Sequence, residues 1–154
     1  MGSVEGIHIA AHEAAPCEPV EQVSVVAGRG VRGDRKFAEH ARGSGEDLTL
    51  IAAESLEALE REHGIALAPG ESRRQLTTRG VDLNALVGRR FTVGSVEAVG
   101  VDLCEPCVSL QRATQPGVMR GLAHRGGIYA DVISGGEIAV GDPLVDRGPA
   151  DDDC

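Results

Sequence analysis

Short runs of strand-forming residues separated by glycine recur along the chain, and this pattern most constrains its fold. There are 21 glycines among the 154 residues, and β-branched runs such as Val20 to Ala27 lie between them. Short strands joined by glycine turns are typical of sheets in which neighbouring strands pair. Predicted strands outnumber predicted helices, so the sequence predicts a mainly β fold, a β-barrel with a few short decorating helices, rather than a doubly wound α/β sheet.

The individual elements follow from local pattern. One amphipathic helix is predicted at Ala53 to His63, because Leu56 and Leu59 can share a face and Gly64 is a natural stop. The predicted strands include Val4 to Ala11, Val20 to Ala27, Leu48 to Ala52, Ser72 to Thr78, Arg90 to Val93 and Ser95 to Leu103. The last two form a predicted hairpin that turns at Gly94.

Length and composition limit the class of protein. A chain of this size with 42% hydrophobic residues is expected to form a single domain, here residues 1–147, followed by a disordered acidic tail at 148–154. The net charge of −9 argues against a general nucleic-acid or membrane-surface binder, so we expect neither partner. The sequence shows no bilayer-length apolar run and no signal-peptide pattern, and we expect a cytoplasmic protein with free thiols.

The best candidate for chemistry is a C-x-x-C pair, Cys104 and Cys107, which follows a predicted strand and precedes a predicted helical turn. Unpaired backbone N–H groups and the helix dipole at such a junction favour thiolate over thiol. A thiolate is a nucleophile, a sulfur carrier and a soft-metal ligand. The alternative is that both cysteines are simply small, half-buried residues.

Other common uses of the same motifs fit less well. No aromatic residue flanks the cysteines and no strand-helix-strand alternation surrounds them, as a thioredoxin-type protein would require. A structural zinc site needs four ligands, and no second C-x-x-C follows. The spacing Gly28-x-Gly30-x-x-Gly33 matches a dinucleotide-binding pattern, but the next residues lack the apolar periodicity of the helix that such a site needs.

Basic residues cluster beside glycine-rich turns. Arg35 and Lys36 follow Gly33, Arg73 and Arg74 are adjacent, and Arg125 precedes Gly126. Arginine forks bind phosphate in a bidentate manner, and glycine turns let backbone N–H groups approach an anion. If these residues converge near a thiol, they form a pocket for a phosphorylated cofactor or substrate. The alternative is that they are scattered, solvated charges.

Taken in order, the motifs resemble the MOSC domain, which is named for its place at the C-terminus of molybdenum-cofactor sulfurases and also occurs as small stand-alone bacterial proteins. The resemblance extends from about Val20 to Val145. Its motifs are Gly28 to Arg35, Leu48 to Ile51 with Glu54, Arg73 to Leu83, Leu86 to Gly94, Cys104 to Cys107, Arg125 to Gly127 and Gly135 to Asp142.

The resemblance implies a barrel-like fold that handles the molybdenum cofactor, a pterin with a phosphate and a metal-binding dithiolene; it does not imply pyridoxal phosphate. Family members use a cysteine for sulfur transfer or as a molybdenum ligand. Cys107 falls at that position, with Cys104 as an assisting thiol. The implied cofactor-binding residues are Asp34, Arg35, Arg73, Arg74, Gln75, Arg125 and Gly126. Gln75 departs from the asparagine usual after the paired arginines; it keeps the amide but has a longer reach.

Two mechanisms fit the resemblance, and each requires a partner. Cys107 either carries sulfur as a persulfide received from a sulfur donor, or binds molybdenum in a site that reduces N-hydroxylated compounds with electrons from another protein. The sequence shows no cysteine set for an iron–sulfur cluster, and we expect none of the N-terminal β-barrel domain that accompanies MOSC in the larger enzymes. A pterin- or purine-binding module without turnover and a C-x-x-C thiol redox protein remain alternatives.

Overall fold

The computed structural model describes residues 2–41 and 45–150 and is dominated by β-strands. The strands are β1 (Gly2–Ile9), β2 (Glu18–Val20), β3 (Gln22–Val26), β4 (Gly30–Val31), β5 (Leu48–Ala52), β6 (Leu76–Arg79), β7 (Arg89–Val93), β8 (Val96–Leu103), β9 (Ile128–Ser134), β10 (Gly136–Ala139) and β11 (Pro143–Pro149). The helices are α1 (Ala53–His63), α2 (Val108–Ala113) and α3 (Val118–Gly121), with 3₁₀ turns at Pro69–Ser72 and Leu83–Leu86.

Seven of these strands close into a barrel, in the order β11-β7-β8-β9-β5-β6-β1. The barrel closes because β1 also pairs with β11, where Gly2 lies opposite Leu144. Strands β5 and β6 run parallel, and helix α1 lies in the long connection that a parallel pair requires. Strand β2 extends the barrel beyond β1, and β10, β3 and β4 form a separate small sheet. The predicted mainly β barrel is confirmed.

The barrel wall separates two apolar cores. Aliphatic side chains and Phe91 fill the interior, whereas the outer core contains residues of the helices and of the loop after α1. Strand β5 contributes to both, because Leu50 points inward and Ile51 points outward, as strand alternation requires. This double burial explains why the strand is a continuous apolar run with a single threonine.

Helix α1 has the predicted bounds, for the predicted reason. Leu56 and Leu59 are buried in the outer core, and the helix ends at Gly64, which adopts a left-handed φ of 70° and donates its N–H to Glu60. A residue without Cβ reaches that φ at no steric cost, so glycine is a natural C-cap. No helix in the described part of the chain is both long and apolar enough to span a membrane.

Several local predictions differ from the structure. The predicted strand Val20 to Ala27 is divided between β2 and β3, and the predicted strand Val4 to Ala11 begins and ends two residues earlier, at Gly2–Ile9. The predicted strand Ser72 to Thr78 is wrong in its first half, because the 3₁₀ turn continues to Ser72 and Arg73 takes a left-handed φ of 62°. The strand therefore begins only at Leu76. Strand β11 continues through Pro149, beyond the predicted start of the acidic tail at Gly148. The last four residues of that tail, 151–154, lie outside the described residues.

Candidate functional site

The cysteine pair lies where it is predicted, between the end of β8 and the start of α2. Cys104 is 4% exposed, and its backbone N–H donates to the carbonyl of Gly127 at 2.8 Å. Cys107 is exposed and immediately precedes α2, where its carbonyl accepts the N–H of Gln111 at 3.1 Å. Both are free thiols. The pair therefore offers one buried sulfur and one accessible sulfur.

Both cysteines line one cavity outside the barrel wall, with a volume of about 510 Å³. That size is typical of small-molecule sites. Three of the predicted arginines line the same cavity: Arg35, Arg73 and Arg74. The other polar lining residues are Glu13, Lys36, Thr49, Glu105, Ser109 and Tyr129. The structure thus brings together the two thiols and a basic cluster that are far apart in sequence.

Arg74 is a buried cation held by neutral groups. Its side chain donates to the carbonyls of Gly126 at 2.8 Å, Cys104 at 2.9 Å and Ser72 at 3.2 Å. The residue is only 9% exposed and, among the described residues, it forms no ion pair within 4.0 Å. Carbonyl dipoles satisfy its N–H groups without cancelling its charge, so the cavity wall carries a positive charge beside Cys104.

Arg35 and Arg73 form a second basic pair on the other side of the cavity. Arg35 contacts the Asp34 carboxylate at 3.2 Å and the carbonyl of Arg73 at 3.4 Å. Arg73 donates to the carbonyls of Ala15 at 2.9 Å and Glu13 at 3.1 Å. Arg73 thereby fastens the loop after β1 to the cavity rim, and its unusual backbone conformation directs it there.

The side chains of Asp34 and Gln75 contact each other in the protein interior, next to Arg35. Both are almost fully buried, and the Gln75 amide donates to Asp34 Oδ2 at 2.9 Å. Asp34 also accepts the backbone N–H groups of Ala10 at 3.0 Å and Lys36 at 3.1 Å. The side-chain carbonyl of Gln75 accepts the backbone N–H of Thr49 at 2.9 Å. The polar atoms of both side chains are thus bonded to other protein groups, and neither residue lines the cavity. Their role in this arrangement is to position Arg35.

Arg125 and Gly126 are adjacent in sequence but contact different parts of the protein. The Arg125 guanidinium donates to Glu62 at 2.8 Å and to the carbonyl of Gly121 at 2.9 Å, and it lines a different cavity. Gly126 packs under residues 104–107, which we call the cysteine loop. A Cβ added at Gly126 would lie 2.7 Å from the Cys104 carbonyl. Gly126 therefore allows the close approach that brings its own carbonyl to Arg74.

Glu105 fixes the cysteine loop from outside. Its carboxylate accepts the backbone N–H of His124 at 2.7 Å and contacts the His124 ring Nδ1 at 2.9 Å. The backbone N–H of His124, and to a lesser degree its ring, lowers the pKa of Glu105 although partial burial opposes this. The loop that carries both cysteines is thus tied to the segment before Gly126.

Tyr129 is one of the cavity residues that the sequence analysis did not predict, with Glu13 and Ser109. It occupies β9, lines the same cavity as Cys104, and is paired across the sheet with Thr49. The neighbouring Cys104 side chain, and after it burial, raises the pKa of Tyr129 to about 12. A signal was present in the sequence: Tyr129 and Thr49 are polar residues that alternate with core residues of their strands.

The family-model comparison decides the family. The model for the MOSC domain matches residues 38–145, more than two thirds of the chain. The chain belongs to the MOSC domain family. The matched region contains both cavity cysteines and Arg74, and it begins just after Arg35. The MOSC family is associated in general with the molybdenum cofactor. No curated protein sequence matches the chain.

Solved structures share the whole fold of this MOSC chain. The YuaD protein from Bacillus subtilis has a TM-score of 0.80 at 18% identity, with 94% of each chain covered. YiiM from Geobacillus stearothermophilus has a TM-score of 0.75 at 18% identity, covering 95% of this chain and 75% of that one. YiiM from Escherichia coli has a TM-score of 0.71 at 16% identity, covering 96% and 71%. These similarities establish the fold alone.

Proposed function

We propose that this MOSC protein binds a phosphorylated pterin of the molybdenum-cofactor type in the cavity and that Cys107 carries sulfur as a persulfide. The observation that supports this most is the juxtaposition of an accessible thiol with Arg74, a buried cation that has no carboxylate partner among the described residues. An anionic ligand supplies the missing negative charge, and the thiol lies in the same cavity.

The residues present fit the cofactor. Arg35, Arg73 and Arg74 provide forked donors for a phosphate, and the cavity volume of about 510 Å³ accommodates a small molecule. In the described part of the chain, no three His, Cys, Asp or Glu side chains come together as a metal site. A metal bound here would therefore take most of its ligands from the pterin dithiolene and one from Cys107.

When bound, the cofactor would supply a molybdenum centre that accepts a sulfur ligand or supports oxygen-atom chemistry. The chain's own contribution to sulfur transfer begins at Cys107. Its thiolate attacks the outer sulfur of a donor persulfide, the donor S–S bond breaks, and the donor leaves as a thiol while Cys107 becomes a persulfide. The exposed position of Cys107 lets a donor protein reach it, and the arginines favour the anionic form of the product.

The test uses protein purified from a host that synthesises the molybdenum cofactor. Pterin and molybdenum are measured in the wild type, in Cys107→Ala and in Arg74→Met. We expect both in the wild type, loss of molybdenum in Cys107→Ala, and loss of pterin in Arg74→Met. The matched controls are Cys17→Ala, a half-buried cysteine outside the cavity, and Arg89→Met, a surface arginine paired with Asp146. Absence of pterin and molybdenum from the wild type would overturn the cofactor proposal.

Persulfide formation is measured separately, by intact mass after treatment with inorganic polysulfide. We expect a gain of one sulfur atom in the wild type and in Cys17→Ala, and no gain in Cys107→Ala. Pterin retention with no persulfide and no molybdenum at Cys107 would favour a non-catalytic binding module. A reversible Cys104–Cys107 disulfide without pterin affinity would favour a thiol redox protein instead.

A further inference from the structure

We propose that the helical surface around Cys107 is a docking site for an acidic protein, the donor that delivers sulfur to this thiol. The surface consists of α2, α3 and the turns that flank them, residues 106–125, and we call it the basic segment. That the partner is a sulfur donor rests on the proposed function. The recognition itself depends on charge and exposure, so it is tested without pterin or persulfide.

The basic segment has a charge opposite to that of the whole chain. The net charge of the chain is −9, yet the 25 residues between Glu105 and Asp131 contain no Asp or Glu, the longest such stretch in the sequence. Three arginines lie in it: Arg112, Arg120 and Arg125. An acidic partner is repelled by most of the chain and attracted here, so the charges determine where it binds.

Two of these arginines have no ionic partner among the described residues. Arg112 and Arg120 are exposed, and neither guanidinium forms an ion pair or a hydrogen bond there. Arg125, by contrast, is paired with Glu62 at 2.8 Å. Other surface arginines that pair with carboxylates are Arg61, Arg79, Arg89 and Arg90. The two unpaired cations leave a positive potential that an acidic partner neutralises.

Helix α2 presents an apolar and a charged residue on the side that carries the thiol. Val108 follows Cys107 directly and is 47% exposed, and Arg112 lies four residues later, on the same face of the helix. Leu110, on the opposite side, is buried in the outer core. An exposed aliphatic residue beside arginine is typical of a protein interface, where an apolar centre is covered and arginine is enriched.

The two helices are fixed, so the surface is formed before a partner binds. The Gln111 side chain accepts the backbone N–H of Met119 at 3.0 Å, which joins α2 to α3. Gln115 donates to the carbonyl of Ala66 at 3.0 Å, and Val118 anchors α3 in the outer core. A preformed surface loses little conformational entropy when it binds.

The basic segment is distinct from the cationic lining of the cavity. Three arginines line the cavity, where a bound phosphate neutralises them, whereas Arg112 and Arg120 lie outside it. Cys107 belongs to both regions, because it lines the cavity and is exposed at the surface. A donor on the outer surface can therefore reach the sulfur while a ligand occupies the cavity.

The test measures thiol–disulfide exchange at Cys107 with two synthetic peptides. Each peptide contains one cysteine as a mixed disulfide with thionitrobenzoate, flanked by glutamates in one peptide and by lysines in the other. The Cys107 thiolate attacks the peptide sulfur, a new disulfide forms, and thionitrobenzoate leaves as a coloured thiolate. The protein is the full chain with Cys17→Ala and Cys154→Ala, and Cys107→Ala in the same background gives the blank.

We expect the glutamate peptide to react about tenfold faster than the lysine peptide at low salt, and the two rates to converge at high salt. Arg112→Glu should lower this ratio to about threefold or less, and Arg120→Glu should lower it by a smaller factor. The matched control is Arg147→Glu, which makes the same charge change at an exposed arginine of β11 bonded to Thr92 and should keep the ratio. Alkylation by neutral iodoacetamide should change by less than about twofold in every variant.

Equal rates for the two peptides, or the same loss of preference in Arg147→Glu, would overturn the docking surface. So would a change in iodoacetamide alkylation as large as the change in exchange, because the effect would then lie in the thiol rather than in recognition. Sedimentation tests a second copy of the chain as the occupant, and a dimer that dissociates in Arg112→Glu would also overturn the proposal. None of these measurements involves pterin or persulfide, so their failure is distinct from failure of the proposed function.

Discussion

The Gln75 side-chain amide donates a 2.9 Å hydrogen bond to the Asp34 carboxylate, which in turn contacts the Arg35 guanidinium at 3.2 Å. The oxygen of the same side-chain amide, Gln75 Oε1, accepts the backbone N–H of Thr49 at 2.9 Å. One buried amide thus joins the loop that carries Arg35 to strand β5, on the wall of the cavity. Gln75 holds the site together without lining it, which explains why an amide of this length is needed here.

Gln75→Glu should therefore destabilise the protein more than Gln75→Asn. Glutamate replaces the donor with a charge that faces the Asp34 carboxylate, at an expected cost of about 3 kcal/mol. Asparagine keeps the amide but cannot reach both partners, at an expected cost of about 1–2 kcal/mol. Chemical denaturation measures both. In the control, Gln22→Glu at the exposed Gln22–Glu137 hydrogen bond, the loss should stay below about 1 kcal/mol. Equal stability of the two Gln75 variants would contradict this account.

Substitutions of Arg73 should affect the free energy of unfolding and ligand binding differently. Its left-handed φ of 62° favours glycine, whereas its side chain holds two carbonyls of the loop after β1. Arg73→Gly relieves backbone strain and loses those bonds, so its stability should stay within about 1 kcal/mol of the wild type. Arg73→Ala loses the bonds and keeps the strain, and should be less stable than Arg73→Gly by about 1 kcal/mol.

Both Arg73 variants should bind inorganic phosphate and pterin less tightly than the wild type, because a guanidinium is lost from the cavity in each. Thermal unfolding ranks the stabilities, and isothermal titration ranks the binding. An alanine variant as stable as the glycine variant would show that the backbone conformation at this position costs nothing.

Gly126→Ala should displace the cysteine loop. The new methyl group would lie 2.7 Å from the Cys104 carbonyl and 3.0 Å from Pro106 Cδ, and the first of these neighbours is backbone that cannot rotate away. We expect a loss of about 1–3 kcal/mol and weaker pterin retention, because the same shift moves the carbonyls that hold Arg74. The matched control is Gly6→Ala, whose methyl group meets only the His8 side chain, at 3.3 Å. Equal effects of the two substitutions would contradict the close-packing argument.

Local pattern was enough to predict the barrel, helix α1 and the position of the cysteine pair. Glycine turns and strand alternation are properties of neighbouring residues, so the β7–β8 hairpin and the bounds of α1 could be predicted without tertiary information. The MOSC motifs then suggested which of the polar residues belong to one site.

The contacts between distant segments could not be predicted in this way. The Gln75–Asp34 bond joins residues 41 apart, and the Arg74–Gly126 bond joins residues 52 apart. The strand predicted through Arg73 failed for the same reason, since carbonyls far away in sequence hold that arginine in a turn. Tyr129 was missed because its place on the cavity wall depends on how β9 pairs with β5 and β8.

The hydrogen bonds between Glu105 and His124 should stabilise the cysteine loop in a pH-dependent way. The pKa of Glu105 is lowered in the folded protein, chiefly by the backbone N–H of His124. A carboxylate with a lowered folded pKa contributes stability above its unfolded pKa, and this contribution is lost as the pH falls through the folded pKa. Because Glu105 is exposed, the contribution at neutral pH should be no more than about 1 kcal/mol. Glu105→Ala should remove it, together with the corresponding part of the acid dependence of stability.

Because the backbone N–H of His124 is the main partner of the Glu105 carboxylate, replacing the His124 side chain should have little effect on stability. His124→Gly removes the imidazole, keeps the N–H that Glu105 accepts at 2.7 Å, and suits the left-handed φ of 63° at this position. It should therefore be as stable as the wild type or slightly more stable, and it should keep most of the acid dependence that Glu105→Ala loses. Denaturation at several pH values between neutral and acid compares the two variants. If His124→Gly loses as much stability as Glu105→Ala, the ring rather than the backbone holds the cysteine loop.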